Sequence, residues 1–351
     1  MLAPGYRQFE IAKRLLSVKQ AVAQTMTDEF FVIHPEWELR YGERGRKYCT
    51  ADACFHIEFL AGAVEAGSPD AFVDYALWTA RMLGARGIDA HTLEENLAQL
   101  KKHLSGHFSM VEQELLALFL DPGRAACIAP RPAFETQPPD AYLDLAQHTF
   151  VAAILSGHRK AALGIVEEAL HHGTSLVDVY VEIFSRSLYE VGSLWEQNKI
   201  SVAQEHLATA VTQYVIASPY SQLTLPSPFR GNMVVTGVAG EGHQIGANLV
   251  ADAMEANGWN VRFLGSNVPH SAVLSEVEKF SASVLCVSTT LVANLPSAAE
   301  LILSVRTKMG EGAPRIVLGG AAYRLTPDFV QGDDSATIIP NIRKAIALLC
   351  P

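Results

Sequence analysis

The chain has 351 residues, of which 49% are hydrophobic and 18% are charged, and its formal net charge is −10. This composition predicts a globular protein of two or three domains, and it disfavours nucleic-acid binding because nucleic-acid-binding surfaces are basic. We find no run of 18 apolar residues and no signal-peptide core, and the five cysteines are scattered, so we expect a cytoplasmic protein without a membrane span.

The first part of the chain, residues 1–125, is predicted to be an all-helical N-terminal domain. The tripeptide Ser68-Pro69-Asp70 is typical of a helix start, because proline suits the first turn and an acidic residue stabilises the positive end of the helix dipole. No short basic recognition helix follows a tight turn, so we expect no direct contact with nucleic acid. Apolar residues recur at spacings of three and four in residues 8–26, 53–65, 70–86 and 90–119.

The next two segments are predicted to be a linker and a helical bundle. Residues 126–140 are rich in proline, which lacks the backbone donor that a helix needs, and they therefore indicate a linker. Residues 141–225 carry four amphipathic segments separated by turn residues, and a four-helix bundle buries all four apolar faces. The four segments are residues 141–156, 158–171, 175–196 and 201–218.

Residues 229–351 change in character and predict an α/β domain. Short apolar runs (MVVTGVA, VRFLG, SVLCVSTT and RIVLGG) alternate with helical segments at 246–257, 270–281 and 297–309. Strands of this buried type, each followed by a helix, are typical of a doubly wound parallel sheet. Ligands of such domains bind at the carboxyl ends of the strands, so the loops there are the candidate functional positions.

Three polar or glycine-rich elements follow three of the predicted strands. The first is the loop Glu241-Gly242-His243-Gln244-Ile245-Gly246. After 41 further residues comes Ser288-Thr289-Thr290, and after 28 more comes Gly319-Gly320. This series resembles the cobalamin-binding domain family, in which an Asp-x-His-x-x-Gly loop, a Ser-x-Thr type element and a Gly-Gly pair occur in the same order. The resemblance covers about residues 229–350.

The resemblance implies a cobalamin whose cobalt takes His243 as its lower axial ligand. Imidazole is a borderline nitrogen donor that suits cobalt, and a metal-bound histidine usually donates its other N–H to a carboxylate, here Glu241. The family normally has aspartate at that position, and the side chain of Glu241 is longer by one methylene group. The nucleotide tail of the cofactor would lie against Gly319 and Gly320 and the hydroxyls of Ser288 and Thr290.

The predicted bundle carries a second pattern, in which Trp195 is followed after nine residues by Glu205-His206. The segment resembles the helical cap that precedes cobalamin domains in methionine synthase and corrinoid proteins, and the pattern itself resembles light-sensing adenosylcobalamin proteins of the CarH type. This implies that Trp195, with Val191 beside it, covers the upper face of the cofactor. Glu205 would then bind the adenosyl sugar, and His206 would become the upper cobalt ligand after illumination. The alternative is an ordinary core tryptophan and a solvated helix face.

The N-terminal stretch RKYCTADACFHIEFLAGAVEAGSPDAFVDYALWTARMLGARGI is similar to regions of stand-alone cobalamin-binding proteins, among them the photocobilins. That resemblance implies a biliverdin-type bilin as a second chromophore. The alternative is a helical bundle whose aromatic residues form its core and whose basic residues are solvated. The candidate bilin contacts are Arg44, Arg46, His56, Tyr75 and Trp78.

Together these features favour a light sensor over an enzyme. In this hypothesis, photolysis of adenosylcobalamin changes the upper ligand and shifts the cap, which alters a dimer or larger oligomer or the contact with a downstream signalling protein. A first alternative is a corrinoid protein that shuttles methyl groups between methyltransferases, since the cap and cobalamin domain would serve it equally. A second alternative is a cobalamin-dependent redox regulator or antirepressor.

Overall fold

The computed structural model describes residues 4–129, 141–221, 225–330 and 336–351. Its N-terminal part is helical throughout the described residues, as predicted. The segment 90–119, predicted as one helix, is divided in two by a turn around Gly106. Ser68 caps the third helix, and its hydroxyl accepts a hydrogen bond from the backbone N–H of Ala71 at 3.3 Å. The helices are α1 (Pro4–Ile33), α2 (Pro35–Glu65), α3 (Pro69–Gly84), α4 (Ala90–Leu104) and α5 (Met110–Ile128).

Helix α5 extends further than proline placement suggests. It runs through Pro122 and ends at Ile128, three residues into the segment predicted as a linker. Packing explains this, because a Cβ on Gly123 would lie 2.8 Å from the Phe72 ring, so α5 and α3 are in close contact where the proline disturbs α5. The rest of the predicted linker, residues 130–140, lies outside the described residues.

The predicted helical cap is present. Its third predicted helix is continuous but contains a π-helical turn, Val179–Ser185, between α8 and α9. The cap core includes Phe150, Tyr180 and Phe184, and it continues into the following domain through Ile245 and Leu249. The cap helices are α6 (Ala141–Leu155), α7 (Arg159–His171), α8 (Leu176–Asp178), α9 (Arg186–Glu196) and α10 (Val202–Ser221).

The C-terminal domain is a parallel sheet with strand order β2-β1-β3-β4-β5, which confirms the predicted fold class. The last strand, β5, was not predicted because three residues are too few for a recognisable pattern. The strands are β1 (Asn232–Gly237), β2 (Asn260–Phe263), β3 (Val284–Ser288), β4 (Arg315–Gly319) and β5 (Ala336–Ile338). The helices are α11 (Ile245–Ala256), α12 (His270–Lys279), α13 (Leu295–Met309), α14 (Ala322–Leu325) and α15 (Ile342–Leu349).

The strand order reverses direction between β1 and β3, which is where doubly wound sheets open a crevice for ligands. The ends of three strands are in register, because Gly237 pairs with Ser288 and Ser288 pairs with Gly319. The three loops identified from the sequence therefore leave the sheet at the same level, on one edge.

The N-terminal helices pack directly on the C-terminal domain. Their buried residues, such as Ile57 and Leu60, belong to the same apolar cluster as Leu295 and Leu301 of α13. Gly62 of α2 lies so close to the short 3-10 turn Val292–Asn294 that a Cβ there would be 1.9 Å from the backbone oxygen of Val292. The N-terminal helices therefore share a core with the sheet domain. None of the helices in the described ranges has the length and apolar character needed to cross a bilayer.

Replacing Gly62 with alanine is expected to lower the free energy of unfolding by about 1–3 kcal/mol, the usual cost of an extra methyl group in a close-packed contact. The obstructing atom belongs to the backbone, which cannot rotate away as a side chain can. The matched control is Gly164→Ala in α7, where a Cβ has no neighbour within 4 Å and alanine favours the helix. Urea denaturation measures both variants, and equal midpoints would contradict the contact.

Candidate functional site

The centre of the site is the pair Glu241 and His243 in the loop after β1. The Nδ1 atom of His243 lies 2.5 Å from Oε1 of Glu241, which also accepts the backbone N–H of His243 at 2.9 Å. A carboxylate can only accept, so Nδ1 carries a proton, and in the neutral imidazole Nε2 has the free lone pair. No described residue bonds to Nε2, and 57% of the His243 side-chain surface is exposed.

The other oxygen of Glu241 joins this loop to the loop after β3. Oε2 accepts hydrogen bonds from the backbone N–H groups of Thr290 at 2.7 Å and Leu291 at 3.3 Å, and from the Asn294 side chain at 3.1 Å. Glu241 is completely buried. Its side chain thus spans the crevice between β1 and β3. Asn294 was missed in the sequence, although its position soon after Ser288-Thr289-Thr290 placed it near the same edge.

The electrostatics of the pair follow from these contacts. Burial alone would raise the pKa of the Glu241 carboxyl, but the hydrogen bonds from His243 and from the backbone of Thr290 lower that pKa to about 2. The bond to Glu241 raises the pKa of His243 against the opposing effect of burial. The carboxylate of Glu205 in the cap adds a smaller effect in the same direction.

The remaining residues of the β1 loop leave space beside His243. Gly242 and Gly246 have no atom within 4 Å of where a Cβ would lie, and Gln244 is exposed. Ile245 is buried and begins α11, where it contributes to the cap core. The loop therefore combines one anchored carboxylate with an open rim.

The other two predicted elements lie at the same edge but make unequal contributions. Ser288 ends β3, and Thr290 contacts Glu241 through its backbone N–H. Gly320 has a φ of 114°, and a Cβ there would be 2.2 Å from the backbone oxygen of Thr289, so this position requires glycine for the fold itself. Gly319 has no such requirement, because its nearest neighbour would be the backbone oxygen of Ile339 at 3.7 Å.

The cap residues predicted from the sequence lie on two neighbouring helices. Val191 is buried inside the cap, and Trp195 is partly buried at the end of α9. In α10, the exposed His206 has its Nδ1 atom 2.5 Å from Oε2 of Glu205, while Thr209 donates to Oε1 of Glu205 at 3.0 Å. His206 therefore has the same arrangement as His243, with a glutamate on Nδ1 and a free Nε2.

The candidate bilin residues fall into two groups, the two arginines and the three aromatic side chains. His56 is buried, and its Nδ1 atom lies 2.6 Å from the hydroxyl of Tyr75, so both belong to the core. Arg46 pairs with Glu38, and Arg44 contacts Tyr48. These arginines precede His56 by about 15 Å or more along α2, at roughly 1.5 Å per residue.

A cavity of about 370 Å³ lies between the N-terminal helices and the loops after β3 and β4. Tyr75 and Trp78 contribute to its N-terminal wall, and Thr290, Leu291 and Ala321 contribute to the opposite wall. Trp78 also stacks on Trp195, with ring centres 6.3 Å apart. The N-terminal domain therefore borders the functional edge, which the sequence did not indicate.

The fold and site define an α/β domain that presents a carboxylate-oriented histidine beneath a helical cap. Residues 231–339 match the family model of the B12 binding domain, and residues 146–218 match a second model with the same description. The chain thus carries both B12 binding domains and is homologous to the corrinoid proteins.

Relatives agree with this assignment. Trimethylamine corrinoid protein 1 of Methanosarcina mazei is 20% identical over 205 residues, which are 55% of this chain and 94% of that protein. Methionine synthase of Mycobacterium tuberculosis is 27% identical over 183 residues, but the match spans only 15% of its length. The monomethylamine corrinoid protein structure of Methanosarcina barkeri has a TM-score of 0.50 at 18% identity, and the match covers 58% of this chain and 97% of that one. This last likeness concerns the fold.

In the cobalamin-free protein, replacing Glu241 with glutamine is expected to lower the free energy of unfolding by about 2–3 kcal/mol. This is the usual cost of losing buried hydrogen bonds to a charged group. Each carboxylate oxygen faces N–H donors, so the amide NH2 group must oppose donors in either orientation. Glu278→Gln is the control, because Glu278 forms an exposed pair with Lys308 and should give no measurable change. Thermal and urea unfolding measure the difference. A Glu241→Gln variant as stable as the native chain would contradict the contribution of this carboxylate.

Proposed function

We propose that the protein binds a cobalamin with Nε2 of His243 as the lower ligand of its cobalt. The observation that carries this proposal is the buried Glu241 carboxylate on Nδ1 of His243, which directs the free Nε2 lone pair into an open rim. Metal-bound histidines usually donate their other ring N–H to a carboxylate in this way, and imidazole is a suitable ligand for cobalt.

The surroundings of His243 also fit such a group. The rim beside the histidine is open at Gly242 and Gly246, and the apolar core of the cap reaches Ile245, two residues further along the chain. When bound, cobalamin supplies a cobalt that carries an alkyl group on its upper face and releases it. Glu241 would orient the histidine, and the cap helices α9 and α10 would cover the bound cobalamin and shelter the edge of the sheet.

We further propose that the chain serves as a corrinoid carrier of methyl groups between partner methyltransferases, and is not itself the catalyst. Support comes from the two B12 binding domain matches, which lie on the cap and the sheet domain, and from the similarity to trimethylamine corrinoid protein 1, 94% of which is matched. This was the alternative in the sequence analysis, and the relatives favour it over a light sensor. Arg44 and Arg46 lie apart from His56, Tyr75 and Trp78, so the proposal does not include a second chromophore.

The His243→Ala variant tests the lower ligand. We expect its affinity for hydroxocobalamin to fall about tenfold or more, since even second-sphere changes at metal sites cost 10–100-fold. Electron paramagnetic resonance of the cobalt(II) form identifies the donor, because 15N-histidine changes the nitrogen splitting from three lines to two. His172→Ala, an exposed cap histidine, is the control and should bind normally. Three-line splitting in the 15N-histidine-labelled protein would exclude His243 as the ligand.

The second candidate function is a light sensor that uses adenosylcobalamin. The specific observation that favours it is the Glu205–His206 pair at the start of α10, in which Glu205 lies on Nδ1 and leaves Nε2 of His206 free. Glutamate on Nδ1 is the arrangement expected of a histidine that accepts a metal. In this candidate, His206 ligates from the cap side after light removes the adenosyl group.

Illumination distinguishes the two functions. For a sensor, green light should change the visible spectrum of the adenosylcobalamin-loaded protein and its elution volume in gel filtration. His206→Ala should leave binding in the dark intact but alter the spectrum of the light product, whereas His172→Ala should match the native protein. If light changes neither the elution volume nor any His206-dependent spectral feature, and methylcobalamin bound to the protein donates its methyl group to an added methyltransferase, the carrier function stands.

A further inference from the structure

We propose that the N-terminal domain is a clamp on the cap, in which Trp78, Arg81 and Arg86 fix Trp195 and thereby limit access to the upper face of the cofactor. The access part rests on the proposed cobalamin binding, whereas the clamp itself is a property of the chain without cofactor. Trp78, Arg81 and Arg86 are positioning residues, since they act through Trp195.

The first contact is made by Arg86, just beyond the end of α3. Its guanidinium donates hydrogen bonds to the backbone oxygens of Trp195 and Glu196, each at 3.2 Å. These oxygens belong to the last turn of α9, at the negative end of the helix dipole, and the oxygen of Trp195 also accepts the backbone N–H of Asn198 at 3.0 Å. Arg86 thus caps the end of a cap helix from another domain.

The second contact concerns the tryptophan side chain. The ring of Trp78 stacks on that of Trp195 with an angle of 27° between the planes. The Arg86 guanidinium lies 4.9 Å from the centre of the Trp195 ring, within the range of a cation–π interaction. Trp195 is therefore held by an aromatic ring and a cation, both from the N-terminal domain.

The third contact is an ion pair beside the tryptophan. Nε of Arg81 donates to Glu196 at 2.6 Å, and only 11% of the Glu196 side chain is exposed. The next turn adds a hydrogen bond from the Asn198 side chain to the backbone oxygen of Ala85 at 3.4 Å. Every residue on the cap side of these contacts lies between 195 and 198, so the clamp acts on the end of α9 alone.

Helix α3 is anchored at its other end to the sheet domain. The hydroxyl of Ser68, its N-cap, donates to the backbone oxygen of Leu325 at 3.0 Å in the segment after β4. The neighbouring Gly62 is in contact with the turn after β3. A 16-residue helix is about 24 Å long, so α3 is a rigid connection between the functional edge and the cap. While it is attached at both ends, Trp195 cannot move away from that edge.

The first experiment uses the full-length protein without cobalamin. Hydrogen–deuterium exchange of residues 186–201 should become about tenfold faster in Arg86→Met, since 1.4 kcal/mol of lost local stability corresponds to that factor. Arg81→Met is a second variant in case Arg86→Met folds poorly, and it should act in the same direction. Arg124→Met is the matched control, because Arg124 is as exposed as Arg81 but pairs with Glu94 inside the N-terminal domain. Unchanged exchange in both clamp variants would overturn the proposal.

The second experiment uses protein loaded with hydroxocobalamin, in which cyanide replaces the upper ligand and the visible spectrum follows the rate. Replacement should be several-fold faster in Arg86→Met than in the native and Arg124→Met proteins. If the cap exchanges hydrogen faster but cyanide replacement does not change, control of access is refuted. If the native protein binds no cobalamin while the hydrogen-exchange result holds, the proposed function fails and the clamp stands.

Discussion

The functional edge depends on one buried carboxylate. Glu241 has no exposed surface and accepts five hydrogen bonds, two from its own loop and three from the loop after β3. An ionised group in such a place is very costly unless its charge is compensated, and here N–H donors surround both oxygens. The same bonds hold the two loops together and fix the proton of His243 on Nδ1. Removing this charge would therefore disturb both the loop structure and the histidine tautomer.

The parallel sheet makes this arrangement available. Gly237, Ser288 and Gly319 end three adjacent strands in register, so their loops start at one level. The chain leaves β1 and β3 on either side of the point where the strand order reverses, and a glutamate can bridge the crevice between them. The longer side chain in place of the family's aspartate still reaches Nδ1 of His243 while its second oxygen reaches Thr290.

Local patterns predicted the fold and the edge of the sheet because each strand and loop has its own signature. Four strands, the cap helices and the positions of the three loops could be read from apolar periodicity and glycine. Contacts between distant segments could not be predicted in this way. The hydrogen bond from Arg86 to Trp195 joins residues 109 positions apart, and a lone arginine at a helix end has no distinctive pattern. Strand β5 was too short to detect, and tertiary packing of Gly123 against Phe72 carried α5 past Pro122. The two arginines of the bilin set lie apart from His56 along α2 for a related reason, since similarity in a stretch of sequence does not show that its residues share one face.

The two sides of the cap differ in chemistry, and this difference suggests how it opens. Towards α11, the cap shares a buried apolar core with Ile245, Leu249 and Ala253, which water would have to enter if the two separated. Towards α3, the contacts are hydrogen bonds, an ion pair between the partly exposed Arg81 and the nearly buried Glu196, and one ring stack. When these contacts open, water can replace the polar partners, whereas opening the apolar core exposes it to water without any such replacement. We therefore expect the cap to turn about its α11 side and to part from α3, and the clamp residues then decide how often the upper face is reached.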